Sequence, residues 1–171
     1  MDFYKLGYTL LSILLCFCST VLAADIKLIH GHVIKVLDGD TVLVTTIPPS
    51  PLPLKVRLDY IDAPEMKQDY GSASQRALSK LILDKDVSIS FSVTDGFGRI
   101  VGSISTGRGL NVNLEQVRKG LAWVYKRYTH DPIFLDAENS AKARRVGLWS
   151  VSHPVPPWKF RHLGTNSDSV P

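Results

Sequence analysis

The chain has 171 residues, a formal net charge of +4, and side chains that are 44% hydrophobic and 21% charged. This length suits one globular domain with its own core, and no internal repeat or low-complexity tract is present, which excludes repeat and fibrous architectures. The moderate positive charge is compatible with a polyanionic partner but does not identify one.

The N-terminal segment, residues 1–23, has the layout of a secretory signal peptide. Lys5 gives a positive start, residues 10–18 are apolar, and residues 21–23 end in a small residue, so we expect cleavage after Ala23. The apolar run is short for a bilayer, which makes an uncleaved anchor the less favoured alternative. Both cysteines lie in this segment. We therefore expect a secreted or periplasmic protein without disulfides, cysteine nucleophiles or cysteine metal ligands.

The next part of the chain shows strand patterns. Residues 26–44 alternate around a tight turn at Asp38-Gly39-Asp40, which predicts two strands with glycine supplying the backbone freedom of the turn. Residues 47–53 are rich in proline, which lacks the amide donor that a central strand needs, so they are predicted to form a loop. A further strand is expected over residues 54–58, and Ala63-Pro64-Glu65 then breaks the sheet.

A helix and a hairpin follow. Apolar residues at helical spacing predict a first helix over residues 72–83. Residues 87–93 alternate strictly between apolar and polar side chains, which is the clearest strand pattern in the chain. The turn at residues 94–98 then predicts a partner strand over residues 99–105.

Two more helices are predicted nearer the C-terminus. The second covers residues 113–119 and ends at Gly120, and a short strand is expected over residues 121–125. The third begins after Asp131-Pro132, an N-cap followed by proline in the first turn, and ends at Gly147. Together these elements predict a small barrel or sheet packed against helices.

Residues 151–171 are predicted to form an extended or loose tail, because they are rich in proline, serine and glycine. Within this tail, residues 158–162 mix aromatic and basic side chains as a nucleic-acid contact does. An unstructured tail is nevertheless the interpretation that the composition favours.

Four charged residues stand in short, distinctive contexts. Asp40 lies in an Asp-Gly-Asp-Thr motif, Arg57 and Asp62 share residues 57–65, and Arg99 ends an Asp-Gly-Phe-Gly-Arg motif. Two carboxylates can hold a hard divalent cation, and this cation and the arginines can together hold a phosphodiester as its charge builds. The lack of a compact histidine cluster and of cysteine argues against zinc.

These motifs resemble the staphylococcal (thermonuclease-like) nuclease family. The matches occur in family order from about residue 31 to residue 150, and they comprise residues 36–41 (VLDGDT), 57–58 (RL), 61–65 (IDAPE), 97–99 (FGR), 111–113 (NVN), 120–125 (GLAWVY), 138–141 and 147–149 (GLW). One such motif alone is a weak signal, whereas their joint, ordered occurrence is a strong one.

The resemblance implies an α+β fold in which a five-stranded OB-type β-barrel packs with three α-helices over residues 24–150. It also implies calcium-dependent hydrolysis of DNA and RNA, with little sequence preference and with products that end in 3′-phosphates. We accordingly expect Ca²⁺ as the cofactor, DNA and RNA as substrates, a monomer, and no stable membrane association once the signal segment is removed.

The resemblance also implies the metal ligands. By position, Asp40 and Asp62 correspond to the calcium-ligating carboxylates, and Ala63 to the residue whose backbone carbonyl is a further ligand. Alanine stands where the family commonly has threonine, so a side-chain hydroxyl is lost while the carbonyl remains. Metal binding is therefore expected to persist.

The same correspondence assigns the residues that act on substrate. Arg57 and Arg99 resemble the two arginines that clamp the phosphate, and Glu65 resembles the residue that positions or activates water. Tyr125 falls where the family has a tyrosine flanking the nucleotide site. Phe97 stands where the family can have a tyrosine, so a phenolic hydroxyl is lost. The preference of the protein for particular bases and phosphates therefore stays open.

Structural interpretations of the same residues remain open. Residues 38–40 are suited to forming only a turn, Arg57 and Asp62 to forming only an ion pair, and Arg99 to being a solvated strand residue. Asp59 is assigned to an outward strand position or a supporting contact. For the chain as a whole, the alternative to a nuclease is a non-catalytic nucleic-acid-binding module on the same barrel.

Overall fold

The computed structural model describes residues 25–165. The predicted signal segment lies outside the described residues, and its cleavage stays a prediction. Among the residues that are described, no helix combines the length and apolar character needed to cross a membrane.

Five strands form a closed barrel, and two very short strands pair beside it. In chain order the strands are β1 (Lys27–Val36), β2 (Thr41–Thr46), β3 (Leu54–Leu58), β4 (Ile61–Asp62), β5 (Asp86–Thr94), β6 (Ile100–Thr106) and β7 (Trp123–Val124). The barrel has the order β1-β2-β3-β6-β5, in which β3 and β6 are parallel and the other neighbours antiparallel. The predicted five-stranded OB-type barrel is confirmed.

The barrel closes because every strand sends apolar side chains to one interior. Val33, Val44, Val56, Ile89 and Ile104 are fully buried there, one from each of the five strands. Closure also pairs the backbone of all five strands, which leaves no long open edge. The charged motifs of the sequence therefore lie on or next to strands whose positions are fixed by a common core.

Residues 25–165 form four α-helices, α1 (Gly71–Ile82), α2 (Val112–Arg118), α3 (Pro132–Ala143) and α4 (Pro157–Thr165), with a 3-10 helix at Gly147–Ser150. The predicted N-cap Asp131 is present, and α2 has an N-cap, Asn111, that was not predicted. Asp131 accepts the amide of Ile133 at 2.9 Å at the start of α3, and Asn111 accepts the amide of Leu114 at 2.9 Å at the start of α2. The three predicted helices match α1, α2 and α3.

Gly39 is required for a different reason from the one the sequence suggested. Positive φ occurs at several glycines of the described chain, but Gly39 is not one of them. A Cβ atom at Gly39 would instead collide with the Ser74 hydroxyl and with the Ala63 side chain. The glycine thus lets the 38–40 turn lie directly against α1.

The prediction of an unstructured tail is wrong for residues 157–165, which form helix α4. Pro157 occupies the first helical position, where a missing amide donor carries no penalty. The next residue, Trp158, packs its ring edge-on against Trp123 at 5.7 Å between centroids. A proline-rich composition favours an extended chain only when no such tertiary contact is available, and here the contact fixes the helix.

Candidate active site

One open cleft of about 900 Å³ brings together all seven residues that the sequence predicted for the site. These are Asp40, Arg57, Asp62, Ala63, Glu65, Arg99 and Tyr125. They come from five separate stretches of the chain, which meet because strands β2, β3 and β6 run side by side in the barrel and β4 pairs with β7.

Asp40 is held rigidly just before β2. Its amide donates to the Asp38 carboxylate at 3.0 Å, and its own carboxylate accepts the Thr41 hydroxyl at 3.0 Å and the Ala63 amide at 2.6 Å. Asp38 therefore shapes the turn, as its predicted structural role requires. The bond from Ala63 ties the turn to the segment that carries Asp62.

Arg57 joins the two predicted metal-binding carboxylates. Its Nη1 lies 3.2 Å from Oδ2 of Asp40, and its Nη2 donates to Oδ1 of Asp62 at 3.0 Å. Nη1 also donates to the carbonyls of Leu58 at 2.6 Å and Ile61 at 3.0 Å. Both carboxylates thus contact the same guanidinium group, as expected for side chains that converge on one site.

Burial makes Asp40 costly to ionise without a nearby cation. Removal from water raises the pKa of Asp40 to about 7, with Arg57 opposing the shift and Asp38 and Asp62 adding to it. Arg57 therefore compensates only part of the cost of burying the charged Asp40 carboxylate.

The donor set suits a hard divalent cation. Asp40, Asp62 and the carbonyl of Ala63 offer oxygen ligands, which Ca²⁺ and Mg²⁺ prefer. Over residues 25–165 no three His, Cys, Asp or Glu side chains are placed to hold a metal by themselves. Any cation held here would therefore need further ligands, such as water and a phosphate oxygen.

Arg99 is oriented by an acidic turn between β5 and β6. Its Nε donates to Oδ2 of Asp95 at 2.8 Å, while the amides of Arg99 and Phe97 donate to Oδ1 at 3.0 and 2.9 Å. Burial alone raises the pKa of Asp95, but these hydrogen bonds outweigh it and lower the pKa. The carboxylate therefore stays charged and holds the guanidinium beside the cleft.

Glu65 and Tyr125 border the same cleft. Glu65 follows Pro64 and is half-exposed, and its amide donates to the side-chain carbonyl of Gln68 at 3.2 Å. Tyr125 follows β7, and its amide donates to the Tyr60 carbonyl at 2.8 Å. Because β7 pairs with β4, the ring of Tyr125 is kept close to the segment that carries Asp62.

Arg161, which lines the cleft, and Trp158, which stacks on Tyr125, were not predicted as site residues, and both come from α4. Arg161 contacts Asp62 and Glu65, and Trp158 stacks on Tyr125 at 5.5 Å with 11° between the ring planes. The hydrogen bond to Asp62 raises the pKa of Arg161 above its usual range. The aromatic and basic composition of residues 158–162 was the available signal, and it was outweighed by the prediction of a loose tail.

Comparison with known proteins is consistent with this geometry. The family model described as staphylococcal nuclease homologue matches residues 55–151, more than half of the chain. An uncharacterised endonuclease of Escherichia coli is 44% identical over 150 residues, covering 88% of this chain and 94% of that protein. An uncharacterised endonuclease of Haemophilus influenzae is 39% identical over 130 residues, covering 76% and 71%. A micrococcal nuclease of Shigella flexneri is 32% identical over 148 residues, covering 81% and 83%.

Proposed function

The chain belongs to the staphylococcal nuclease family, and from this premise we propose that it is an exported, calcium-dependent endonuclease acting on DNA and RNA. The observation that carries the proposal is the Arg57 guanidinium, which contacts both Asp40 and Asp62 inside the cleft. Export is supported by the layout of residues 1–23, and a nuclease activity by relatives named as endonucleases and as a micrococcal nuclease.

Asp40, Asp62 and the Ala63 carbonyl would hold the cation. When bound, a calcium ion supplies positive charge that stabilises the phosphoryl oxygens during cleavage. Both carboxylates are buried, so they are held close to the positions in which they would bind the cation.

Arg57 and Arg99 would hold the phosphodiester from two strands of the barrel. A planar guanidinium donates two parallel hydrogen bonds to phosphate oxygens, which a lysine ammonium cannot do. Arg57 is anchored through its contacts with Asp40 and Asp62, and Arg99 through Asp95. Both guanidinium groups are therefore held in position before substrate binds. Their positive charge would stabilise the negative charge that builds on the phosphoryl group.

Glu65 would orient the attacking water or remove its proton. Its carboxylate lies at the cleft and is half-exposed, so water reaches it. Cleavage that leaves a 3′-phosphate is part of the proposal and is supported by the family resemblance alone. Recognition would rest mainly on phosphates, with Tyr125 beside a base, so binding should weaken steeply as salt increases.

The alternative is a nucleic-acid-binding module without catalysis. Such a module can lose metal ligands or clamping arginines and still bind through the same barrel. All five side chains proposed for chemistry are present and line one cleft, and they are Asp40, Arg57, Asp62, Glu65 and Arg99. This favours the enzyme.

The deciding experiment uses the chain without residues 1–23, incubated with plasmid DNA and with RNA. Calcium, magnesium, zinc or a chelator is added in parallel, and products are separated on gels and tested for terminal phosphate. We expect cleavage of both nucleic acids with calcium and none with chelator. Cleavage that survives chelation would contradict the metal assignment, and binding without cleavage in every metal would favour the binding module.

A further inference from the structure

Helix α4 places a positive charge directly on the carboxylates of the proposed metal site. Nη2 of Arg161 donates to Oδ2 of Asp62 at 2.8 Å, and Nη1 lies 3.2 Å from Oδ1 of the same residue. Nη1 also donates to Oε1 of Glu65 at 2.7 Å. With Arg57 on Oδ1 at 3.0 Å, both oxygens of Asp62 already face guanidinium groups.

We propose that helix α4 is an autoinhibitory latch, in which Arg161 competes with a divalent cation for Asp62 and Glu65. The inference rests on the proposed function, since it concerns the regulation of the same site. Cation binding and displacement of Arg161 are coupled in this scheme. The chain is inactive with the helix in place and becomes active when the cation has displaced the arginine.

A bound cation and Arg161 compete for the same oxygen of Asp62. A guanidinium and a divalent cation on one carboxylate repel each other, and Asp62 already carries Arg57 on Oδ1. Arg161 takes Oδ2, the oxygen that Arg57 does not contact, so it lies where a cation would bind. In addition, the pairing of Glu65 with Arg161 occupies the group proposed to act on water.

A second contact covers the substrate side of the cleft. Trp158 lies nearly parallel to the ring of Tyr125, at 5.5 Å between centroids. An aromatic face is where a nucleic-acid base would stack, so Trp158 takes the place that a base would use on this face. The same helix thus blocks both the carboxylates and the tyrosine, through residues three positions apart that lie on one helical face.

The contacts of Arg161 are open to solvent, as a displaceable contact requires. The Arg161 side chain is 45% exposed, and half-exposed ion pairs contribute little net stability. Trp158 and the Gln68 side-chain amide, which donates to the Val155 carbonyl, also hold the α4 segment. A divalent cation bound by two buried carboxylates would displace Arg161 from Asp62 and Glu65.

The test measures calcium affinity by titration calorimetry, without substrate, on the chain lacking residues 1–23. We expect Arg161→Ala to bind calcium about tenfold more tightly, because the cation no longer displaces a charged hydrogen-bonding partner. The matched control is Lys159→Ala, which removes the same charge from an exposed position on the same helix and should change the affinity less than about twofold. Equal affinities for the two variants would overturn the latch.

Trp158→Ala separates the latch from a simple charge effect, because it removes a neutral ring and touches no carboxylate. It should also tighten calcium binding, by less than Arg161→Ala. Calcium should change the tryptophan fluorescence of the parent protein, and Trp158→Phe should remove that change. Calcium binding with an unchanged affinity in both Arg161→Ala and Trp158→Ala would overturn the latch and leave the proposed function intact. Absence of calcium binding in every protein would overturn both.

Discussion

The carboxylate of Asp95 both shapes the turn before Arg99 and aims the arginine itself. Oδ1 accepts the Arg99 amide at 3.0 Å, and Oδ2 accepts Nε of the same residue at 2.8 Å. The Asp95 side chain thus fixes both the backbone conformation of the turn and the position of the Arg99 guanidinium. Asp95 is a positioning residue for the proposed phosphate clamp.

Replacing Asp95 with asparagine separates these two tasks. Asn keeps an oxygen that can accept the turn amides but loses the charged pair with Arg99, so we expect kcat/KM on DNA to fall about tenfold. The pair is partly exposed, so the free energy of unfolding should change by less than about 1 kcal/mol. Kinetics and urea unfolding check both, with Asp136→Asn on α3 as the control. An unchanged kcat/KM would contradict the positioning role.

The two clamping arginines should respond differently to replacement by lysine. Arg57→Lys breaks a bridge between two buried carboxylates and should lower the free energy of unfolding by about 1–3 kcal/mol. Arg99→Lys loses only the two parallel guanidinium donors and the contact with Asp95, so the fold of this variant should stay intact. Both should reduce turnover about 100-fold or more.

Thermal unfolding and kinetics of the two lysine variants, measured side by side, test this contrast. Each variant is the control for the other, because both keep the positive charge. Arg99→Lys with full turnover would remove Arg99 from the phosphate clamp. Equal loss of stability in the two variants would contradict the bridging role of Arg57.

Glu65→Gln tests the group proposed to act on water. The amide cannot take a proton, so turnover should fall about 100-fold or more while nucleic-acid binding persists. Cleavage rates and filter binding at fixed calcium measure the two properties separately. Glu115→Gln on α2, whose carboxylate makes only long ion pairs with Arg118 and Lys119, is the control. Full activity in Glu65→Gln would exclude this role.

Asp59 makes a pH-dependent contribution to stability. Burial raises the pKa of Asp59 above its ordinary value of 3.8, although hydrogen bonds from Ser103 and Asn113 oppose the shift. Between the unfolded value and the higher folded value, the folded protein binds more protons than the unfolded chain. The contribution of Asp59 to stability therefore falls as pH rises through this window.

Asp59→Asn should remove that dependence. The amide oxygen can still accept from Ser103 and Asn113, whose bonds to Asp59 are both 2.7 Å long. The unfolding free energy of the variant minus that of the parent should increase from about pH 4 towards neutral pH. Urea unfolding at several pH values gives this difference directly. A difference that is flat, or that grows towards acid, would show that Asp59 is not destabilised by burial.

Local patterns explain why most of the barrel was predictable. The alternation over residues 87–93 and the turn at residues 94–98 specify a hairpin by themselves, and the Asp131 cap marks the start of α3. Closure of the barrel is a long-range property, and it came from the family resemblance. The convergence of Asp40 and Asp62 came from the same source, since the two lie in separate parts of the chain.

The features that were missed depend on distant contacts. β4 has two residues, and it is a strand only because Ile61 and Asp62 pair with Val124 and Trp123. α4 follows a proline-rich segment and is fixed by packing on Tyr125 and Trp123. Neither pairing leaves a periodic pattern in the sequence, so periodicity could not reveal these elements, and the aromatic and basic composition of residues 158–162 does not by itself predict a helix.

Glu138 links α3 to the strand before Tyr125. It is buried, its Oε1 accepts the Val124 amide at 3.0 Å, and its Oε2 accepts Nζ of Lys142 at 2.6 Å. Glu138→Ala leaves the buried amide without its acceptor and the lysine without its nearest partner. We expect the free energy of unfolding to fall by about 2–4 kcal/mol.

Glu138→Gln and Lys142→Ala separate the contact with Val124 from the contact with Lys142, while Lys126 lies farther from Oε2, at 3.8 Å. Gln keeps an acceptor for the Val124 amide, so it should cost less than alanine, whereas Lys142→Ala removes the shorter ion pair and leaves the hydrogen bond from the Val124 amide in place. Urea unfolding of the single and double variants gives the coupling between Glu138 and Lys142, which should be clearly different from zero for residues in contact. If Glu138→Ala were no less stable than Lys142→Ala, the bond to Val124 would not be what holds β7 against α3, and Tyr125 would be positioned by the pairing of β7 with β4 and by Trp158.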